Sequence, residues 1–188
     1  HDPARNWHAD RGPLLRLADW AARMAGALDK LAQDLILMTQ TGLGELRLAA
    51  TGDSSTMPQK ANPVTPSALA ALAAQVRAQQ ATLHAAGSPR WQRDGAAWFA
   101  EWLALPPLWL SLLGGLAQAD RLAQGLEPVP GAMAAGLDLG RGAAYAEALS
   151  FALARHMPRP DAQAEAKRLS GQAEIQGRPL GELARAAH

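Results

Sequence analysis

The side chains best suited to chemistry lie together in one polar segment, residues 52–63. Beyond the amide of Gln59, it contains three hydroxyls, one ammonium group and a side-chain amide, from Ser54, Ser55, Thr56, Lys60 and Asn62. These donors, together with backbone N–H groups at the start of a following helix, suit an anion, most simply a carboxylate. The same field stabilises an alkoxide, so Ser54 or Ser55 is a candidate general base.

The same residues also have an ordinary structural interpretation. Ser, Thr, Asn, Gly and Pro are common in loops. Asn62 can cap a helix whose first residue is Pro63, or Thr65 and Pro66 can play these parts one turn later. Lysine is scarce in this chain, which favours a specific use of Lys60. The residues alone leave the structural interpretation and the anion site both open.

A helix is expected before the polar segment, from about residue 13 to residue 41. Apolar residues recur there in alternating steps of three and four, the period of a helix packed along neighbours in a bundle. Gly42 and Gly44 are plausible stop signals. The apolar stripe expected to face neighbouring helices consists of Leu14, Leu17, Ala21, Met24, Leu28, Leu31, Leu35 and Met38.

Two further stripes follow the polar segment. The first is interrupted by Gln79, which indicates a polar contact in the seam, and consists of Leu69, Leu72, Val76 and Leu83. The second runs from residue 98 to residue 123 and contains Pro106-Pro107, which should kink or break the helix. Its members Trp98, Trp102 and Trp109 are expected in the core.

Two charged sites near the start of this third helix are expected to be unremarkable. Glu101 should be solvated or lie at an interface. Arg93 and Asp94 should form a surface ion pair.

The C-terminal part of the chain has a shorter pattern. Residues 125–131 are a linker by composition, and small helices are expected near 142–156, 161–175 and 179–187. Strand-like alternation is absent, so the fold class is all-α. We expect a central bundle segment at 1–127, with the loop at 52–63, and a small helical domain at 128–188. Three helices cannot easily bury stripes of this length, so we expect further helices from a missing segment or from other subunits, and oligomerisation is one of these two outcomes.

The composition excludes several classes of function. The formal net charge is +1, from 18 basic and 17 acidic residues, which argues against nucleic-acid or membrane-surface binding. No apolar run approaches the roughly 20 residues of a membrane span. There is no cysteine, and the five histidines lack metal-ligand spacing. No metal or cofactor is therefore expected, and a reducing, cytoplasmic compartment fits.

The polar segment resembles a known signature. Ser54-Ser-Thr-Met-Pro-Gln-Lys-Ala-Asn-Pro63 is similar to the Ser-Ser-x-Met-Pro-x-Lys-x-Asn-Pro loop of the fumarase/aspartase superfamily. Trp7-His8-Ala9-Asp10-Arg11 resembles a Trp-His-x-x-Arg stretch of its cycloisomerase branch. Trp98-Phe-Ala-Glu-Trp102 resembles the Trp-x-x-Glu-Trp segment of that branch.

The resemblance implies an activity and a role for each matched residue. Members of this branch interconvert 3-carboxy-cis,cis-muconate and 4-carboxymuconolactone in the protocatechuate branch of aromatic degradation. Ser54 would be the general base, and Lys60 and Asn62 would hold the substrate carboxylate as it becomes a dianion. Ser55, Thr56 and Met57 would line the same loop. The partners implied are a small di- or tricarboxylate substrate and three further copies, because family members are tetramers whose sites combine three subunits.

The chain also departs from the family. Asp53 stands where relatives have glycine, and Ser67 stands where many have glutamate. Family members are about twice as long, so we expect this chain to be a C-terminal half with little activity alone. One alternative is another lyase of the superfamily, of argininosuccinate or adenylosuccinate type. The other is a helical scaffold without catalysis.

Overall fold

The computed structural model describes residues 6–49 and 62–188. The chain forms two compact units, His1–Pro128 and Val129–His188. The described residues are mainly helical, which confirms the all-α class. The assignment of a central bundle segment to 1–127 and of a separate C-terminal domain to 128–188 stays a prediction.

Three long helices make up the first unit: α1 (Gly12–Met38), α2 (Val64–Ala86) and α3 (Gly95–Gln124). Helices α1 and α2 are antiparallel, since Asp19 near the start of α1 contacts His84 near the end of α2. Helix α3 starts beside the start of α1, where Arg11 pairs with Glu101. The three helices therefore run up, down and up.

The buried face of α1 is rotated from the predicted stripe. It keeps the expected spacing of three and four but consists of Ala18, Ala21, Ala25, Leu28, Ala32 and Leu35. The predicted core residues Leu17 and Leu31 are exposed instead. Alanine allows α2 to approach closely, so the large apolar side chains lie at the edge of the contact rather than inside it.

The predicted stripe of α2 agrees better with its buried face. Leu69, Val76 and Leu83 are buried as expected. The polar position in this seam is Gln80 rather than Gln79, and its Nε2 donates to Asp19 Oδ1 at 2.8 Å.

The start of α2 differs from both predicted caps. The helix begins at Val64, and Pro63 occupies the cap position without a side-chain hydrogen bond. Asn62 is thus not the capping residue, and its carbonyl accepts a hydrogen bond from Val64 N at 2.8 Å. Because Pro63 adopts ψ 66°, it lies outside the helical region.

The prediction that three tryptophans of α3 are core residues is wrong. Trp102 is exposed, and Trp98 and Trp109 are only half-buried. The buried face consists of Glu101, Ala104, Leu108, Ser111, Leu112, Gly115 and Leu122. The helix also continues through Pro106 and Pro107 without a break. The carbonyls that lose donors there belong to Trp102 and Leu103, which lie on the exposed side where water can replace the donor.

Two short strands, which the sequence pattern did not predict, follow α1 and α3 in this unit. Strand β1 (Leu46–Leu48) pairs antiparallel with β2 (Leu126–Pro128). Strands of three residues are too short to show an alternation. Strand β2 and helix α4 (Pro130–Leu139) also occupy most of the predicted linker.

Within the second unit, helices follow one another at short intervals. After α4 come a 3₁₀ turn (Ala143–Tyr145), α5 (Ala146–Leu153), α6 (Arg159–Gln176) and α7 (Leu180–Ala187). A small core forms where Leu169 and Ala173 of α6 pack with Leu180 and Leu183 of α7. Gly177 ends α6 at φ +70°, a conformation that glycine adopts without strain.

Helix α3 is the one helix in the described part of the chain that is long and apolar enough to cross a membrane by these two criteria alone. One such helix is weak evidence, because core helices pass the same test. Only 28 % of the most apolar 18-residue stretch of α3 is buried inside this chain. Helix α3 therefore exposes a large apolar surface.

Candidate active site

Most of the predicted site residues lie outside the described residues. These are Ser54, Ser55, Thr56, Met57 and Lys60. Asn62 is described and is half-buried immediately before α2. The site can therefore be built from the two ends of the polar segment and from the elements that hold those ends.

The upstream end is anchored to the end of α3. Strand β1 pairs with β2 in a register that places Leu46 opposite Pro128 and Leu48 opposite Leu126. One residue further, Ala49 N donates to Gly125 O at 2.9 Å. The backbone is thus held in position by hydrogen bonds up to the last described residue before the segment.

This anchoring depends on the absence of a side chain at residue 125. A Cβ at Gly125 would lie 2.8 Å from the Cβ of Ala49, closer than two such carbons approach in folded proteins. Since Ala49 Cβ is fixed to the backbone, it cannot rotate away. Gly125 therefore permits the close contact between the end of α3 and the residue that leads into the polar segment.

The described residues on either side of the polar segment line one open cleft, which we call the α3 cleft. Its volume is about 220 Å³, and its lining includes Leu48, Ala49, Thr65, Gln118, Arg121 and Gly125. Ala49 precedes the polar segment and Thr65 follows it in the first turn of α2. Gln118 and Arg121 lie one turn apart on one face of α3, and Gly125 directly follows the helix. Sequence reasoning missed Thr65, Gln118 and Arg121 as site candidates, because they lie far apart in the chain.

The two segments that resemble the cycloisomerase branch contact each other at the opposite end of α3. Arg11 Nε donates to Glu101 Oε1 at 2.7 Å, and the second nitrogen of its fork, Nη2, donates to Oε2. Arg11 Nη1 also donates to the carbonyl of Trp7 at 3.0 Å. Glu101 is 6 % exposed, so the prediction of a solvated or interfacial carboxylate is wrong for this chain.

Aromatic rings extend this contact. The rings of Trp7 and His8 stack with centroids 3.9 Å apart, and the rings of His8 and Trp98 lie 5.7 Å apart. Trp98 in turn lies 6.5 Å from Trp102. The stretch before α1 is thus held against α3 by one ion pair and a row of rings.

The carboxyl groups with clearly shifted pKa lie outside the α3 cleft. Hydrogen bonds from the backbone N–H and side chain of Arg90 hold the pKa of Asp94 well below its usual range. Asp94 also caps α3, accepting from Ala96 N at 3.0 Å. Its ion pair is with Arg90 rather than the predicted Arg93. No group of three potential metal ligands occurs among residues 6–49 and 62–188.

Comparison with known proteins gives consistent matches. Residues 2–78 match the model of a family described as lyase. A 3-carboxy-cis,cis-muconate cycloisomerase of Pseudomonas putida is 38 % identical over 160 residues, covering 84 % of this chain and 38 % of the relative. A nitrosuccinate lyase of Streptomyces davaonensis is 35 % identical over 185 residues, covering 96 % of this chain and 39 % of the relative.

Solved structures share the fold. The 3-carboxy-cis,cis-muconate lactonizing enzyme of Pseudomonas putida has a TM-score of 0.85 at 34 % identity, covering 96 % of this chain and 41 % of that chain. A fumarate lyase of Mesorhizobium sp. BNC1 has a TM-score of 0.86 at 30 % identity, covering 98 % and 41 %. The chain thus spans about two fifths of the length of these proteins. Its sequence and fold are similar to those of lyases of the fumarase/aspartase superfamily, the cycloisomerases among them.

Proposed function

We propose that this chain supplies the catalytic loop of a 3-carboxy-cis,cis-muconate cycloisomerase-like enzyme. The observation that carries the proposal is the match of the polar segment to the signature loop, within a chain 38 % identical to a cycloisomerase over 84 % of its length. The reaction is the reversible lactonisation of 3-carboxymuconate to 4-carboxymuconolactone. It needs general acid–base chemistry and no resident metal or cofactor.

The proposed roles follow from the charge that develops during the reaction. In the ring-opening direction, Ser54 takes the proton from the carbon next to a carboxylate, and the lactone C–O bond then breaks to release a second carboxylate. Lys60 and Asn62 bind the first carboxylate, whose negative charge increases as the proton leaves. In the lactonising direction, protonated Ser54 returns the proton as a substrate carboxylate attacks the ring-closing carbon. Ser55, Thr56 and Met57 line the loop.

The backbone at Asn62 supports a fixed position for this residue. Asn62 is half-buried, and its carbonyl is held by Val64 N at 2.8 Å.

A fusion protein tests the activity. The preceding part of the Pseudomonas putida cycloisomerase is joined to this chain, and lactonisation of 3-carboxymuconate is measured. The fusion should turn over substrate, and the 188-residue chain alone should have little or no activity. Ser54→Ala in the fusion should lower kcat by orders of magnitude with little change in the circular dichroism spectrum.

A matched serine provides the control. Ser67 is exposed on α2, and its hydroxyl donates to Pro63 O at 2.8 Å. Ser67→Ala should leave turnover within about twofold, because no role in binding or proton transfer is assigned to it. Full turnover in the Ser54→Ala fusion would contradict the proposed base.

A second candidate is another lyase activity, supported by the similarity to the nitrosuccinate lyase. Assays of the fusion and of any longer natural form against argininosuccinate, adenylosuccinate and nitrosuccinate separate these candidates. A helical scaffold without catalysis predicts no turnover of any of them. We further propose that the enzyme is a homotetramer of the cytoplasm. The apolar surface that α3 exposes supports the self-association.

A further inference from the structure

The α3 cleft contains three side-chain donors that nothing in the described structure uses. They are the hydroxyl of Thr65, the amide of Gln118 and the guanidinium of Arg121. No hydrogen bond or ion pair joins these side chains to any partner, as far as residues 6–49 and 62–188 are concerned. Polar groups in a cleft that lack protein partners are available to a ligand.

The described lining of the cleft carries charge of one sign. Among residues 6–49 and 62–188, the lining includes the cation Arg121 and no aspartate or glutamate. Asp120, the neighbour of Arg121 on α3, accepts a hydrogen bond from Gln124 Nε2 at 2.9 Å on the exposed side of the helix. The cleft therefore presents positive charge and donors, which complement an anion.

The geometry points to a carboxylate as the ligand, and we propose that the α3 cleft binds a carboxylate of the substrate remote from the reacting carbon. Arginine presents a planar fork of two parallel N–H groups that matches the two oxygens of a carboxylate. The amide of Gln118, one turn before Arg121 on the same face, adds a third donor. A cleft of about 220 Å³ is small enough to enclose one end of a polycarboxylate rather than a larger ligand.

The position of the cleft indicates which substrates this contact would favour. Ala49 and Thr65, which flank the polar segment in the chain, both line the cleft, and the proposed function assigns the first substrate carboxylate to that segment. Arg121 is then a specificity-determining residue that favours a tricarboxylate over a dicarboxylate of similar length. This identification of the ligand as substrate rests on the proposed function, whereas the anion site in the cleft does not.

Binding to the 188-residue chain tests the cleft independently of turnover. Propane-1,2,3-tricarboxylate is titrated by calorimetry, with inorganic phosphate and uncharged glycerol as comparison probes. Arg121→Gln should weaken tricarboxylate binding by about tenfold or more, the effect of losing a charged hydrogen bond. Gln118→Leu should weaken it by less, and glycerol should not bind.

Arg16→Gln is the matched control. It removes the same charge from an exposed residue in the first turns of α1, and Arg16 does not line the cleft. It should leave the affinity within about twofold, and all variants should keep the parent melting temperature within about 2 °C. Equal weakening by Arg16→Gln and Arg121→Gln would overturn the proposal, since only bulk charge would then matter. Tighter binding of phosphate than of tricarboxylate would also overturn it.

The fusion protein separates failure of this inference from failure of the proposed function. If Arg121→Gln raises KM for 3-carboxymuconate and leaves kcat nearly unchanged, the specificity role is supported. If turnover depends on Ser54 but Arg121→Gln changes neither KM nor the affinity for tricarboxylate, the function stands and the cleft assignment fails. If Arg121 controls tricarboxylate binding in an inactive fusion, the cleft stands and the proposed function fails.

Discussion

The contact between Arg11 and Glu101 explains why two distant sequence segments belong together. Sequence analysis singled out both segments as similar to the cycloisomerase branch but placed Glu101 at the surface. The pairing is 90 residues apart in the chain, and no periodicity in either segment indicates it. A long-range ion pair of this kind depends on how α1 and α3 pack, which a single sequence does not specify.

Removing one partner of this ion pair should be strongly destabilising. Only 16 % of the Arg11 side chain and 7 % of the Glu101 side chain are exposed. Glu101→Ala would leave a guanidinium largely buried without its counter-charge, which costs about 3–5 kcal/mol in free energy of unfolding. Urea denaturation measures this loss. Glu101→Gln should cost less, because the amide oxygen still accepts a hydrogen bond.

An exposed pair on α1 provides the comparison. Lys30 and Asp34 form an ion pair with 73 % and 46 % of their side chains exposed. Asp34→Asn should change the free energy of unfolding by less than about 0.5 kcal/mol. A Glu101→Ala protein as stable as Asp34→Asn would contradict a buried pairing of Arg11 with Glu101.

The pH dependence of stability should include a contribution from Asp19. Hydrogen bonds from His84 and then from Gln80 lower the pKa of Asp19 below its ordinary value of 3.8. A lowered pKa in the folded state means that the contribution is present above pH 3.8 and is lost as the pH falls through the folded-state pKa. Arg23 acts in the same direction through its charge.

Thermal unfolding of the parent and Asp19→Asn between pH 6 and pH 2 isolates this effect. The parent should be the more stable protein at pH 6, and the difference should shrink as the pH falls below about 4. Other carboxyl groups titrate in both proteins and cancel in the comparison. A difference that stays constant down to pH 2 would mean that Asp19 has no lowered pKa.

At the scale of the helix, the period could be predicted from the sequence but the buried face could not. The predicted stripes included large apolar residues such as Leu17 and Trp102, yet both are exposed. The buried faces of α1 and α3 use small residues, among them Ala18, Ala25 and Gly115, where helices approach closely. A hydrophobicity pattern ranks leucine above alanine, so it rotates the predicted face toward the larger side chains.

The contact between the end of α3 and strand β1 gives a prediction about an element. Gly125→Ala would place a Cβ 2.8 Å from the Cβ of Ala49 and should cost about 1–3 kcal/mol in free energy of unfolding. Gly26→Ala is the matched control, because a Cβ at Gly26 in the middle of α1 meets nothing within 4 Å. It should stabilise the chain by about 0.5–1 kcal/mol, since alanine favours the helix.

Chemical denaturation of the two glycine variants measures the change in free energy of unfolding, which should be a loss at Gly125 and a gain at Gly26. Equal effects at the two positions would show that helix propensity alone acts, without a close approach at Ala49. In a crystal structure of Gly125→Ala, the hydrogen bond from Ala49 N to Gly125 O should be lengthened from 2.9 Å.

For the candidate site, sequence analysis could identify the reactive residue types but not their setting. Ser54, Lys60 and Asn62 were predicted from a short local pattern, and their roles stay predictions. The α3 cleft is formed by residues far apart in the chain, from Leu48 to Gly125. Only folding brings these residues together, so local motifs could not reveal the donors of α3.

At the scale of the whole molecule, the apolar surface of α3 is larger than a single chain needs. Leu103, Leu110 and Leu113 are 77 %, 71 % and 60 % exposed. Exposed apolar residues along one helix mark an interaction surface in soluble proteins. The proposed homotetramer would bury this surface between copies, and the buried apolar area would stabilise the assembly by roughly 25 cal/mol per Å² before association costs are counted.

Replacing two of these leucines by glutamate should therefore reduce self-association. Leu103→Glu with Leu110→Glu should shift the sedimentation profile of the chain toward the monomer and weaken association by at least about 100-fold, because each copy would bury charges without partners. Ile175→Glu on α6 is the control, since Ile175 is 87 % exposed and lies in the second unit. The assembly should not respond to that change if α3 forms the interface. Equal dissociation by both changes would indicate a general effect of charge, and an unchanged profile in the double variant would place the interface elsewhere.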